Sequence, residues 1–323
     1  MKIIHDLNSL SELSGSVVTD GMFDGVHLGH RKILDQVTSL AGDMKLPSVL
    51  LTYWPHPRQI LGGAENRVSL LCSLEEKSSL IRDAGIDYMV VIPFSTAFSE
   101  MSHEAFVQDI LVNSLKTKHL IVGYDHRFGK DRLGDIGFLK LAGKEFGFGV
   151  SEIGRQEVEE IAVSSSRIRR ALEQALPEKA AILLGRNYSL EGVVIKGDQR
   201  GRTIGFPTAN LQISEPTKLI PGKGVYVTVC LIDGKSHPSM TNIGIRPTVG
   251  GSSLSIETHL LNFDGDLYGK EMELVFLSFL REELKFNGLE ELKVQLAKDQ
   301  TASMEIHQKF SEFHQPKRSS KTF

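Results

Sequence analysis

The sequence predicts two domains of different class: an α/β domain on a doubly wound, mostly parallel sheet, then an antiparallel β-barrel with a C-terminal helix. Three observations predict it. Up to about residue 176, apolar β-branched runs alternate with amphipathic helical patterns. From Tyr188 onward, short strand patterns separated by Gly and Pro take over. A length of 323 residues suits two domains better than one.

The bulk numbers exclude several classes. The chain is 41% hydrophobic and 24% charged, ordinary for a soluble globular protein. A net charge of −3 gives no global basic field for nucleic acid. The two cysteines, Cys72 and Cys230, lie far apart and suit a reducing cytoplasm. No signal peptide is visible from Met1 to Asp6, and no apolar run reaches membrane-spanning length. Oligomeric state is left open.

The elements follow in order. Val17 to Asp20 reads as a buried strand, followed by a glycine-rich turn. The turn opens a helix with Ile33, Leu34, Val37, Leu40 and Ala41 on its apolar face. Ser48–Tyr53 is a strand stopped by Pro55-His56-Pro57. A helix over Ser73–Ala84 places Leu74, Lys77, Leu80 and Ile81 on one side. Tyr88–Phe94 is a strand, His103–Leu115 an amphipathic helix, His119–Gly123 a strand, Asp135–Phe146 a helix and Gly149–Ile153 a strand. Ile168, Ala171, Leu172, Ala175 and Leu176 stripe one more helix, and the boundary falls at 184. Strands then run over Leu190–Ile195, Val225–Ile232, Ser239–Ile243, Leu254–Phe263 and Met272–Phe279. A last helix near Leu289–Ala297 ends a domain of 185–310, with 311–323 a polar, basic tail.

Strand, glycine turn and helix together aim backbone N–H groups and a positive helix end at a phosphate. His27 and His30 share one side of that turn, where two imidazoles can donate to oxygens that gain charge in a transition state. The same spacing fits a zinc site, though no third ligand stands at a suitable distance, or an incidental pair. Ser164, Ser165 and Ser166 sit at an N-cap, with Arg167 and Arg169 able to add charged donors; an ordinary capped helix looks the same. Arg127 and Lys130 could steer anions or be solvated surface. In the second half, Gly197, Gly201 and Gly205 make a flexible loop. Thr208 and Asn210 share a face in extended chain and offer hard oxygen ligands for Mg²⁺. Glu257 projects from a strand, as a surface Glu or as a proton acceptor.

Gly21-Met22-Phe23-Asp24-Gly25-Val26-His27-Leu28-Gly29-His30 resembles the HxGH motif of the nucleotidyltransferase superfamily. With Phe-Asp-Gly ahead of it, it is similar to the bacterial bifunctional riboflavin kinase/FMN adenylyltransferase, or FAD synthetase, family. Pro55-His56-Pro57, Gly123 to Gly129, Ser164 to Arg169, Gly201 to Asn210 and Glu257 to Phe263 resemble further family segments, in the family's order.

The resemblance implies a Rossmann-like nucleotidyltransferase domain ahead of a riboflavin kinase barrel, with Mg²⁺ and with ATP as co-substrate. It implies riboflavin, FMN, FAD and ATP as small-molecule partners, without nucleic acid or membrane. Glu257 is implied as catalytic base, and His27, His30 and Arg169 as catalytic in adenylyl transfer. ATP and phosphate binding is implied for Gly21, Phe23, Asp24, Gly25, Gly123, Asp125, Ser164, Ser165, Ser166, Arg167, Gly197, Gly201, Gly205 and Pro207. His56, Pro57 and Arg281 are implied as flavin contacts, and Thr208 and Asn210 as metal ligands.

Overall fold

Among the described residues, six parallel strands form the first sheet: β1 (Lys2–Ile4), β2 (Ser16–Asp20), β3 (Ser48–Trp54), β4 (Tyr88–Pro93), β5 (Thr117–Gly123) and β6 (Gly149–Ile153). Their order is β1-β4-β3-β2-β5-β6. The computed structural model describes residues 1–63, 68–154, 163–197, 201, 204–248 and 251–314.

Alternate residues of each central strand face opposite cores. Val17, Leu50, Met89 and Ile121 pack with α1 (Leu28–Met44) and, beyond a short α2 (Pro57–Leu61), with α3 (Leu74–Asp83). Val18, Leu51, Val90 and Leu120 face the other way, towards α4 (His103–Ala105), which runs into a π-helical stretch Phe106–Ser114, and towards α5 (Ile136–Phe146). Helices on both faces of a parallel sheet make it doubly wound. The chain builds outward from β2 to β4, then returns to add β5 on the other side. The switch point, where ligands bind in such sheets, is the gap beyond the carboxyl ends of β2 and β5.

The chain divides into two compact units, Met1–Arg167 and Ile168–Phe323, and the division falls inside α6 (Ser165–Glu173). This helix is shorter than its apolar stripe suggests: Ala175 takes a left-handed φ of 57° and Leu176 is exposed. A further helix, α7 (Pro177–Leu184), follows. Glu178 of α7 accepts the Phe279 N–H at 3.0 Å, and Gly222 N–H donates to the Leu172 carbonyl at 2.8 Å. Residues 168–184 thus pack within the second unit.

That unit is a closed antiparallel barrel, in the order β10-β11-β8-β7-β12-β9. Its strands are β7 (Tyr188–Ile195), β8 (Ala209–Ile213), β9 (Gly224–Ile232), β10 (Lys235–Thr248), β11 (Gly251–Leu260) and β12 (Glu271–Arg281). The short β8 closes it by bridging β7 and β11. Among the described residues, the hydroxyls of Thr228, Ser239, Thr241 and Thr258 are buried in the lumen and joined in a chain at 2.7–2.9 Å. These buried polar groups satisfy one another.

The last helix, α8, covers Leu289–His314, well beyond the expected Ala297 and into the expected tail; 315–323 lie outside the described residues. Its inward residues in the second half are Asp299, Ser303 and His307, polar groups four apart. Asp299 takes the Arg281 guanidinium in a two-pronged pair, with N–O distances of 2.6–3.0 Å. His307 Nε2 accepts from the Ser239 N–H at 3.2 Å.

Candidate functional site

β2 delivers its last residue, Asp20, to the switch point, and the glycine turn follows at once. The turn is strained. Phe23 (φ 46°) and the β-branched Val26 (φ 38°) both sit in left-handed backbone, as does Gly25 (φ 82°). Such non-glycine conformations cost on the order of 1–3 kcal/mol each and persist only where surroundings impose them. Here hydrogen bonds from neighbouring segments impose them. Asp24 Oδ1 accepts the N–H groups of Leu71 (2.9 Å) and Cys72 (3.3 Å). Gly25 N–H donates to Cys72 Sγ at 3.1 Å, and the Ser165 hydroxyl donates to the Asp24 carbonyl at 3.0 Å. Met22 O accepts the Lys77 ammonium at 2.8 Å. Asp24, expected at a phosphate, is buried and anchors the turn through these backbone donors.

His27 N-caps α1, its Nδ1 accepting the His30 N–H at 3.2 Å. A nitrogen that accepts carries no proton, so the neutral His27 ring holds its proton on Nε2. The two imidazoles stack, with centroids 3.6 Å apart and 13° between planes. Burial first, then the neighbouring His27 and Lys77, hold His30 well below the usual imidazole range. His30 Nδ1 is buried and has no hydrogen-bond partner among the described residues. The site thus presents His30 as a neutral imidazole, stacked on His27.

Ser165 brings the start of α6 to the turn, so a helix N-terminus and the glycine backbone meet on one side. Ser164 Oγ accepts from the Arg167 N–H at 3.3 Å; Ser166 and Arg167 are exposed. Arg169 lies one helical turn beyond Ser165. Gly123 ends β5, and exposed Asp125 sits in the turn closed by His126 N–H on the Gly123 carbonyl at 3.1 Å. Arg127 is paired with Asp135 at 3.0 Å and Lys130 with Glu100 at 2.6 Å, both as half-exposed surface ion pairs. His56 N-caps α2, its Nδ1 taking the Arg58 N–H at 3.1 Å, with Pro57 in the first turn.

Sequence reasoning missed a polar cluster at the same switch point. Tyr53 from β3 donates its hydroxyl to Asp20 Oδ1 at 2.7 Å, and His126 Nε2 lies 3.4 Å from Asp20 Oδ2. Burial pushes the Asp20 carboxyl up to about 7, against the lowering effect of the Tyr53 hydrogen bond. Burial, with Arg132 adding to it, pulls His126 down to about 4. Desolvation therefore outweighs mutual attraction: near pH 6 this is a carboxylic acid beside a neutral imidazole, not an ion pair. An Asp closing an otherwise apolar strand was the one available signal.

In the barrel, register assembles the site. Glu257 on β11 stands opposite Asn210 on β8 and opposite Asn242 on β10. Directly paired residues share a face with Cβ atoms about 4.5–5.5 Å apart, so Asn242, Glu257 and Asn210 form one row. Thr258, the next residue, is buried in the lumen, so the row lies on the outer face. Asn242 was missed because its partnership is visible only in the register.

The glycines have distinct roles. A Cβ on Gly197 would fall 2.1 Å from Asn210 Nδ2, so Gly197 makes room for that amide. The Gly201 carbonyl accepts from Phe206 N–H at 2.9 Å, folding the loop back, and Gly205 takes φ 85°. His259 Nδ1 donates to the Pro207 carbonyl at 2.7 Å, fixing the segment just before Thr208. A cavity of about 620 Å³ opens beside it, lined by Pro207, Thr208, Ala209 and the 263–268 loop. Arg281, expected at a flavin, is committed to Asp299 and to the Glu282 carbonyl, and it fastens α8 to the barrel.

These geometries define a class: a nucleotidyl-transfer α/β domain joined to a β-barrel kinase domain. The family model for FAD synthetase matches residues 9–167, and that for riboflavin kinase matches 184–307. A bifunctional riboflavin kinase/FMN adenylyltransferase of Listeria monocytogenes is 41% identical over 286 residues, covering 88% of this chain and 90% of its own. One from Escherichia coli is 37% identical over 309 residues, covering 95% and 98%. A crystal structure from Streptococcus pneumoniae, described as a macrolide-efflux protein, superposes with a TM-score of 0.85 at 28% identity over 94% of this chain and 98% of that one. Among the described residues no helix is long and apolar enough to cross a membrane. The chain belongs to the bifunctional riboflavin kinase/FMN adenylyltransferase family.

Proposed function

We infer that this chain phosphorylates riboflavin to FMN with ATP, then adenylylates FMN with a second ATP to give FAD and pyrophosphate. The observation that supports the reading is that two separate family models match two separate parts of the chain, 9–167 and 184–307.

In the kinase step the riboflavin 5′-hydroxyl oxygen attacks the γ-phosphorus of ATP, the bond to the β-phosphate oxygen breaks, and ADP leaves. A neutral hydroxyl must lose its proton, and Glu257 takes it. Asn242 and Asn210 flank that carboxylate in the row. The donor set fits Mg²⁺: a hydroxyl (Thr208) and an amide oxygen (Asn210) are hard ligands, and Mg²⁺ takes few protein ligands beside substrate phosphates. When bound there, Mg²⁺ neutralises charge on the transferring phosphates. The cavity beside Thr208 has room for the nucleotide.

In the adenylyl step an FMN phosphate oxygen attacks the α-phosphorus of ATP and pyrophosphate leaves. The nucleophile is already anionic, so no base is needed. Positioning and charge stabilisation supply the rate. The N–H groups of the strained turn, the start of α6 with Ser164–Ser166, the imidazoles of His27 and His30, and Arg169 hold the phosphates. The division of labour we propose places adenylyl transfer in 1–184 and the kinase in 185–310. We also place the chain in the cytoplasm, where its two buried free cysteines stay reduced.

A time course with riboflavin, ATP and Mg²⁺, with flavins separated by chromatography, tests the reading. FMN should rise first and FAD should follow with pyrophosphate. FMN accumulation without FAD would overturn the second activity, and no FMN would overturn the first.

A further inference from the structure

Lys77 lies on the side of α3 that the sequence marks as core, and it is only 2% exposed. Helix α3 is fixed at its start by a reciprocal capping box between Ser73 and Glu76, so Lys77 is set one turn into a rigid helix. Its stem packs like any aliphatic chain, but its ammonium is a buried cation, which is costly unless compensated. A Met or Leu would fill this volume without that cost.

The ammonium is aimed at the turn. Its Nζ donates to the Met22 carbonyl at 2.8 Å, which also faces the Thr52 hydroxyl at 3.4 Å. Met22 lies between Gly21 and left-handed Phe23, at the point where the turn leaves β2. The Trp54 ring lies 5.8 Å from Nζ, a cation–π distance. Burial lowers the ammonium's pKa, and the facing groups Cys72 and Asp24 oppose that shift. Both of those groups also hold the turn, Asp24 through Leu71 and Cys72, and Cys72 through Gly25.

We propose that Lys77 is a positioning residue for adenylyl transfer: its buried ammonium pins the Met22 carbonyl from beneath and fixes the strained turn that carries His27 and His30 to the phosphates. The proposal rests on the histidine reading of that site. It acts without touching substrate, because the side chain is enclosed. In a trans peptide the Phe23 N–H points opposite to the Met22 carbonyl, so pinning that carbonyl inward aims the Phe23 N–H away from Lys77. The same fixed charge, with stacked His27 and the burial of the ring, keeps His30 unprotonated.

The test uses full-length Lys77→Met, Lys77→Gln and Lys77→Arg, assayed for FAD formation from FMN and, in the same preparations, for FMN formation from riboflavin. The kinase rate is an internal measure of folding. Lys77→Met should lower kcat for adenylyl transfer about 10–100-fold, the range for losing a charged hydrogen bond, with the kinase rate within about twofold. The acid limb of its pH profile should move to higher pH, because His30 loses a cationic neighbour. Lys77→Gln, which keeps a donor without the charge, should recover part of kcat but not the limb. Lys77→Arg, which keeps the charge, should hold the limb.

Unchanged adenylyl transfer in Lys77→Met would overturn the proposal. So would equal loss in Met, Gln and Arg with an unmoved acid limb, which would make Lys77 a packing residue. If Lys77→Met does not fold, the Gln and Arg pair decides by the same limb. Retained adenylyl transfer in His27→Ala/His30→Ala would instead sink the site reading itself, which separates the two failures.

Discussion

The turn at the end of β2 and the row across β10, β11 and β8 are built by opposite means. The turn is one contiguous stretch, Gly21–His30, strained at Phe23 and Val26 and tied from behind by Asp24, Lys77 and Ser165. The row has no two members adjacent in sequence, and the barrel's register alone makes Asn242, Glu257 and Asn210 neighbours. The difference follows the chemistry. A reaction whose nucleophile is already an anion needs fixed donors, which a strained glycine turn at a helix start provides. A reaction whose nucleophile must lose a proton needs one carboxylate held in place, which a sheet provides.

The largest expected effect separates the two. His27→Ala/His30→Ala should abolish FAD formation and leave FMN formation near wild type, each lost donor costing about 10²–10³ in rate. Adenylyl transfer at the wild-type rate would break the comparison at its first half. Next, Glu257→Gln should lower the kinase rate about 10²–10⁴-fold while added FMN is still converted to FAD. A normal kinase rate would mean that the row is only structural.

A finer test uses backbone room. In Gly197→Ala the new Cβ would meet the Asn210 amide at 2.1 Å and force it aside. Misplacement on the order of 1 Å can cost about 10²-fold, so FMN formation should fall by that order with adenylyl transfer intact. Equal activity would show that Asn210 need not keep its place.

The smallest effect is on stability. The Asp20 carboxyl has a folded pKa raised from 3.8 to about 7, so its contribution is fully present below about pH 4 and is lost as pH rises through 7. His126, depressed from 6.5 to about 4, has the opposite sign: its contribution is present above 6.5 and is lost as pH falls through 4. The two slopes oppose each other across pH 4–6.5. Asp20→Asn removes the first, so denaturant unfolding should show the variant gaining on wild type between pH 4 and 8, by up to about 4 kcal/mol. Parallel stability curves would show that Asp20 is not held as an acid.

The turn was legible because its function is local: the strand, the glycines and both histidines are consecutive. The parallel strands were legible as apolar runs buried on both faces. The misses share a cause, which is that long-range pairing overrides local pattern. β1 is three residues at a sheet edge, and β8 is five residues whose role is to close the barrel. The second half of α8 turns Asp299, Ser303 and His307 inward, so no apolar stripe announces it. The pairing of Arg281 with Asp299 was not legible because the two lie far apart along the chain. The anchoring of Asp24 on the backbone N–H groups of residues 71 and 72 is likewise invisible to motif reasoning.

The most direct test of two independent sites mixes two full-length variants. Glu257→Gln and His27→Ala/His30→Ala are combined with riboflavin, ATP and Mg²⁺, and the flavins are followed over time. The histidine variant makes and releases FMN, and the glutamine variant adenylylates it, so FAD should appear after a lag. No FAD from the mixture, with each variant's remaining activity intact when assayed alone, would mean that FMN does not pass freely from one chain to another, and it would contradict two self-sufficient sites.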